Sequence, residues 1–248
     1  MYIQSATILA LLTSLTAAQD DPSPADYPYI KPGDLDNRSA CPGLNILANH
    51  GYINRNGTHI TKESAIEAQI LAFNFDRETA AGPIDAVLKY STTSTPDISF
   101  NILDTSRPPL DQNGKLTRTD RFFGDPVPFN RTIWDSVIDS LPAEDNAFTW
   151  KEMADAGALR RIRAKAVNPE YEMFETHLNA TFAQMTGLIA VFGGSVENGK
   201  ARIDWLNASI VEERLPYHLG WKKSEEMLGS PQLGPILRAV RTAQSGGV

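Results

Sequence analysis

Apolar residues recur along most of the chain at the three- and four-residue spacing of helices. Leu44, Leu47 and Ala48 follow Pro42, whose fixed φ suits a first helical position, and Gly51 can close that helix in the left-handed region. Thr61 is placed to cap a helix that carries Ile66, Ile70 and Phe73 on one face. Ile84, Val87 and Leu88 mark another, and Ile133, Val137 and Leu141 a further one. Met153, Ala156, Leu159, Ile162 and Ala166 predict a longer helix. The longest pattern runs through Phe174, Leu178, Phe182, Met185, Ile189 and Phe192 and closes at Gly193-Gly194. Leu233, Ile236, Leu237 and Val240 predict a short helix before a polar tail. Phe182, Met185 and Phe192 read as core, because a stripe at helical spacing is more often core than channel lining.

Between these stretches, residues 19–39 are rich in Pro, Asp and Tyr without a period and read as an extended arm leading to Cys41. Residues 92–116, broken by Pro96, Pro108, Pro109 and Gly114, read as loop. Two-residue alternation is nearly absent, and no repeat or linker divides the chain. The expected class is mostly α, in a single domain over residues 19–248.

The first residues differ from the rest. Ile8 to Leu15 is a short apolar run, followed by Thr16-Ala17-Ala18 and a polar break at Gln19-Asp20-Asp21. Small residues before such a break fit a signal peptide over residues 1–18, although no Lys or Arg precedes the run. The run is too short to span a bilayer, which needs about 20 apolar residues. The expected mature protein is soluble, without a membrane segment, and secreted or held in the secretory-pathway lumen. Asn-x-Ser/Thr sequons at Asn37, Asn56, Asn130, Asn179 and Asn207 agree with that route.

Charge narrows the partners. The net formal charge is −7, and the only basic cluster, Arg160-Arg161-Ile162-Arg163, would spread over more than one helix face and reads as solvated surface. Nucleic acid is therefore not an expected partner. The 248 residues contain one cysteine, so no intramolecular disulfide can form. Cys41 stands at a helix N-terminus, where free N–H groups and the positive dipole end favour a thiolate. Three uses remain open: a nucleophile, a ligand to a soft or haem metal, or a small buried hydrophobe. A lone thiol in an oxidising compartment needs protection, which ligation supplies.

Four blocks then carry a resemblance. They are Cys41-Pro42-Gly43-Leu44-Asn45-Ile46-Leu47-Ala48-Asn49-His50-Gly51-Tyr52; Leu116-Thr117-Arg118-Thr119-Asp120 with Phe123-Gly124-Asp125; Asn168-Pro169; and Glu213-Arg214-Leu215-Pro216-Tyr217-His218-Leu219-Gly220-Trp221. In this order, over roughly residues 37–223, they resemble the fungal haem-thiolate peroxidases, the chloroperoxidase and unspecific-peroxygenase family, in its short form. The resemblance implies a helical fold around one haem b, with Cys41 as thiolate ligand to iron. It implies hydrogen peroxide as oxidant and a small organic substrate, or halide, as what is oxidised. A thiolate donor favours O–O cleavage. Family members usually have proline on both sides of the cysteine; here Ala40 replaces the first.

The other departures fall on the distal side. Family members carry Glu-His-Asp or Glu-Gly-Asp, a small residue and Ser just before the Leu-Ser/Thr-Arg-x-Asp block; the Glu, the Ser and a haem propionate hold magnesium or manganese. Aligned on Leu116, this chain has Asp111-Gln112-Asn113-Gly114-Lys115. An ammonium beside a carboxylate and a propionate can replace a divalent cation electrostatically, so Lys115 is expected to pair with Asp111 in its stead. The competing reading is a polar surface turn at Asn113-Gly114. The family's acid–base Glu, nine residues before a glycine turn, falls on Gln184, which cannot shuttle a proton. The assisting histidine falls on Gln112. His177, seven residues before Gln184 and on the same helix face, is the candidate replacement, against a reading as an ordinary partly exposed residue. His50 and His218 fall in structural blocks, and His59 in a loop.

Two functions follow from the resemblance: a peroxidase or peroxygenase with altered acid–base residues, in a dedicated role such as fungal secondary metabolism, or a haem-binding protein of the same fold without appreciable peroxidase activity. Cysteine-nucleophile hydrolysis has no supporting Cys-His-Asn arrangement.

Overall fold

Regular structure begins where the apolar pattern begins. The computed structural model describes residue 24 and residues 26–140, 146–193 and 199–245. The expected signal segment 1–18, Leu141 and Gly194 lie outside the described residues. Helices are α1 (Pro42–His50), α2 (Lys62–Phe73), α3 (Arg77–Leu88), α4 (Arg131–Ile138), α5 (Trp150–Val167), α6 (Glu175–Phe192), α7 (Ile203–Ile210) and α8 (Ser230–Ser245). Two antiparallel ribbons of two residues per strand complete the regular structure. In one, β1 (Ile60–Thr61) pairs with β2 (Ser99–Phe100), and in the other β3 (Ala147–Phe148) pairs with β4 (Ala201–Arg202). The fold is mostly helical, as the chloroperoxidase-like class requires.

The helix starts are set by capping side chains. Thr61 accepts from Ser64 N–H at 3.1 Å, Asp76 from Thr79 N–H at 2.7 Å and Asn130 from Ile133 N–H at 3.0 Å. Thr149 and Glu152 form a reciprocal capping box at the start of α5. Gly51 ends α1 at φ 77, and a Cβ there would lie 2.7 Å from the Arg55 guanidinium. Gly193 ends α6 where a Cβ would meet Ala201 N at 2.8 Å, so the turn into β4 requires glycine.

Helices α5, α6 and α8 pack together and bury Met153, Ala156, Met185, Ile189, Ile236 and Val240; α2 packs on α3. Phe182, Met185 and Phe192 are core residues, as the spacing predicted. No helix among the described residues is long and apolar enough to cross a membrane.

Two expectations fail. Helix α7 was not read from the sequence, because eight residues from Ile203, behind an N-cap Arg202 that makes no side-chain cap, give too short a pattern. The arginine cluster on α5 is solvated surface only at Arg163: Arg160 is 11% exposed and donates to Lys115 O at 3.0 Å, and Arg161 lies 5.9 Å over the Phe182 ring. These two arginines take the inward positions that the stripe assigned to Ile162, which is 60% exposed.

Candidate functional site

Cys41 is the N-cap residue of α1, in extended conformation and partly accessible, with no side-chain cap bond. The backbone N–H groups of Leu44 and Gly43 lie close enough to its sulfur to favour the thiolate. Burial pushes the thiol above its ordinary range, while those N–H groups and the charge of Arg118 pull it down. Its backbone is fixed from both sides. Cys41 N–H donates to Ser39 Oγ at 3.1 Å, and Ala40 N–H donates to Ser106 Oγ at 2.7 Å. A proline at position 40 has no N–H, so Ala40 replaces a covalent restriction on the approach to the cysteine with a hydrogen bond to a distant loop.

Asn45, one turn into α1, ties this segment to the C-terminal block. Its Oδ1 accepts from Ser39 N–H at 2.9 Å, and its Nδ2 donates to Ser39 O at 2.8 Å and Glu213 Oε1 at 2.6 Å. The same Glu213 oxygen accepts from Arg118 Nη2 at 2.7 Å. Arg118 is 1% exposed, lies 5.6 Å from the Phe129 ring centroid, and its Nε–H has no partner among the described residues. Burial raises the Glu213 carboxyl, opposed by Asn45 and Arg118. His50 is fully buried: Leu215 N–H donates to Nε2 at 3.0 Å, so Nδ1 carries the proton and donates to Tyr27 O at 2.9 Å. His50 is thus structural, as its block implied, whereas His218 is exposed in a 3₁₀ turn.

The loop that carries Asp111 and Lys115 is strapped onto α5. Asp120, 1% exposed, accepts from Gly114 N–H at 2.9 Å, Arg160 Nη2 at 3.4 Å and Asn168 Nδ2 at 3.2 Å. Gly114 is left-handed at φ 71, as an Asn-Gly turn requires, yet this is no solvated turn. Lys115 Nζ donates to Asp111 Oδ1 at 2.7 Å, with side chains 9% and 7% exposed. Desolvation lowers the Lys115 ammonium, with Asp111 opposing. Arg121 completes the link: its Nε donates to Asp111 Oδ2 at 3.1 Å and its Nη2 to Ser106 O. The Asp111 cluster and the Cys41 segment therefore share Ser106 as a neighbour.

Gln112 and Gln184 meet. Gln112 Nε2 donates to Gln184 Oε1 at 3.0 Å, and Gln112 Oε1 accepts from the Thr181 hydroxyl at 3.1 Å. His177 does not touch Gln184; the two are joined through Thr181, whose hydroxyl also lies 2.9 Å from His177 O. His177 Nε2–H donates to Pro109 O at 2.7 Å, which leaves the lone pair on Nδ1, a buried atom without a partner among the described residues. Its ring stands edge-on to Phe174. Among the described residues no group of three or more His, Cys, Asp or Glu side chains is placed to hold a metal ion. The sequence reading missed Ser39, Ser106, Asp120, Arg160 and Glu213 as organising groups. Membership in the matching blocks was the only signal for Asp120 and Glu213, and none marked the serines.

The mostly helical fold places its one cysteine at a helix N-terminus, under the charge of the buried Arg118. The family description "Peroxidase, family 2" matches residues 27–226, and the chain belongs to that family, a haem-dependent peroxidase or peroxygenase class. It is 32% identical over 182 residues to an aromatic peroxygenase of Coprinellus radians, covering 64% of this chain and 68% of that protein. It is 27% identical over 210 residues to an aromatic peroxygenase of Cyclocybe aegerita, covering 75% of this chain and 55% of that protein. It is 28% identical over 214 residues to a chloroperoxidase of Leptoxyphium fumago, covering 78% of this chain and 56% of that protein. The chain thus spans between about half and two thirds of the length of these relatives.

Proposed function

We propose that Cys41 is the thiolate ligand of a haem b and that the chain uses hydrogen peroxide to oxidise or oxygenate a small organic, aromatic substrate. The observation that carries this is the position of Cys41: a half-buried residue at the N-terminus of α1, with the backbone N–H groups of Leu44 and Gly43 and the Arg118 charge favouring its thiolate. The residues present fit the group. The sulfur suits iron, and the unpartnered Nε–H of buried Arg118 and the enclosed Lys115 ammonium suit carboxylates. A thiolate-ligated haem supplies O–O bond cleavage. Lys115, bound to Asp111 at 2.7 Å, would stand in for a divalent cation beside a propionate.

On the distal side Gln184 has its oxygen occupied by Gln112, which leaves its amide N–H groups to orient peroxide. Neither amide can move a proton. The lone pair on His177 Nδ1 is the group proposed to accept one. The relatives' names support the aromatic substrate. The apolar run and small-residue break before Gln19 support secretion. Sequon chemistry supports glycans at Asn37, Asn56 and Asn179. It disfavours Asn130, whose Nδ2, the atom a glycan would occupy, donates to Thr119.

The ferrous–CO spectrum tests the ligand: a red-shifted Soret band is expected, and a band at the position of histidine-ligated haem overturns the assignment. A second reading, a haem protein of this fold with impaired peroxide chemistry, is favoured by the paired glutamines. Rapid mixing with peroxide separates the two. A spectral change slowed at least tenfold by His177→Gln and accelerated by Gln184→Glu supports the enzyme; an unchanged spectrum at excess peroxide supports the second reading.

A further inference from the structure

We propose that Arg118 and Glu213 form a buried charge pair that sets how strongly the Cys41 sulfur donates to iron, with Arg118 withdrawing electron density and Glu213 restoring it. The inference rests on the haem-thiolate reading and goes beyond it. Arg118 lies in the block after the distal loop and Glu213 in the C-terminal block, 95 residues apart, yet they meet at 2.7 Å. The pair is wired to the cysteine. Glu213 Oε1 holds Asn45 Nδ2, Asn45 Oδ1 holds Ser39 N–H, and Ser39 Oγ holds Cys41 N–H. Four hydrogen bonds thus fix the charges relative to the sulfur. Phe129 stacks over the guanidinium, and Arg118 has almost no solvent contact, so water screens its charge little.

A buried ion pair is seldom retained for stability alone, because an apolar pair of similar volume often serves as well. Its placement gives it another use. A positive charge held near a thiolate draws density back onto the sulfur and favours the reduced, less positive iron. A negative charge does the reverse. Second-shell groups of this kind tune metal centres elsewhere.

The two charges make opposite predictions, which a merely structural pair does not. In the haem-loaded protein the iron midpoint potential, measured by spectroelectrochemistry, is expected to fall in Arg118→Gln and to rise in Glu213→Gln. Arg118→Lys, which keeps the charge, is expected to stay near wild type even where its melting temperature drops. Equal-signed shifts, or no shift in either neutral variant, overturn the proposal. If Arg118→Gln does not fold, Glu213→Gln decides alone: an unchanged or lower potential overturns it. A wild-type ferrous–CO band of the histidine type instead overturns the haem-thiolate reading on which the inference stands, so the two failures are distinguishable.

Discussion

Glu213 has a positive φ of 52, a region that residues other than glycine rarely occupy. It is held there because its carboxylate binds Asn45 and Arg118 while its carbonyl accepts from Asn49 Nδ2 at 3.0 Å. Burial raises its carboxyl above the usual carboxylate range. An acid raised in the folded state binds more protons folded than unfolded, so its contribution is full below the unfolded value and is lost as pH rises through the folded one. Denaturant unfolding of wild type is therefore expected to lose stability on going upward from about pH 4.5, relative to Glu213→Gln, which lacks that slope. Lys115 makes a simpler prediction. Lys115→Met removes a cation enclosed with Asp111 and leaves Arg121 as the ion partner of that carboxylate among the described residues. The expected loss is on the order of 3 kcal/mol, read from the urea midpoint.

Among the elements, α1 and the loop carrying Ser106 are joined through the single bond from Ala40 N–H. Ala40→Pro and Ser106→Ala each delete it, at a cost of about 1 kcal/mol each. Their double variant is expected to cost little more than either alone, a non-additivity that a double-mutant cycle detects. Additive losses would show that the bond does not connect the two segments. The start of α5 is legible in the sequence because Thr149 and Glu152 spell out a capping box three residues apart. Where Arg160 and Arg161 point was not legible. Arg160 reaches Lys115 O and Asp120 in the 111–120 loop and Arg161 the Phe182 ring on α6, and helical spacing carries no information about such distant partners.

For the whole molecule, the class was readable from helical periodicity, and the proximal side from the block around Cys41. The loop before Leu116 and the Gln184 position were readable as departures: the pairing of Lys115 with Asp111 could be named, whereas the partners of Gln112 and Gln184 could not. That Gln112 and Gln184 bond each other, and that Lys115 is enclosed rather than solvated, needed the packing of α6 and α5 against one loop. The same packing sorts the sequons. Glycopeptide mass spectrometry of secreted material is expected to find glycan on exposed Asn56 and Asn179 and none on Asn130.

The N-terminal arm is clasped along α1. Tyr27 stacks on Tyr52 at 4.0 Å and accepts from His50, Ile30 N–H donates to Asn49 O at 2.9 Å, and Arg55 bonds Pro28 O and His50 O at 3.1 Å each. A protease needs several residues of free backbone, which residues 27–30 offer only after they have peeled off the cysteine helix. Cleavage between residues 27 and 30 is therefore expected to run no faster than release of that helix, and a bound haem should slow both together. The arm then serves as a tamper seal, whose breakage in a proteolysis time course reports that the cysteine's housing has opened.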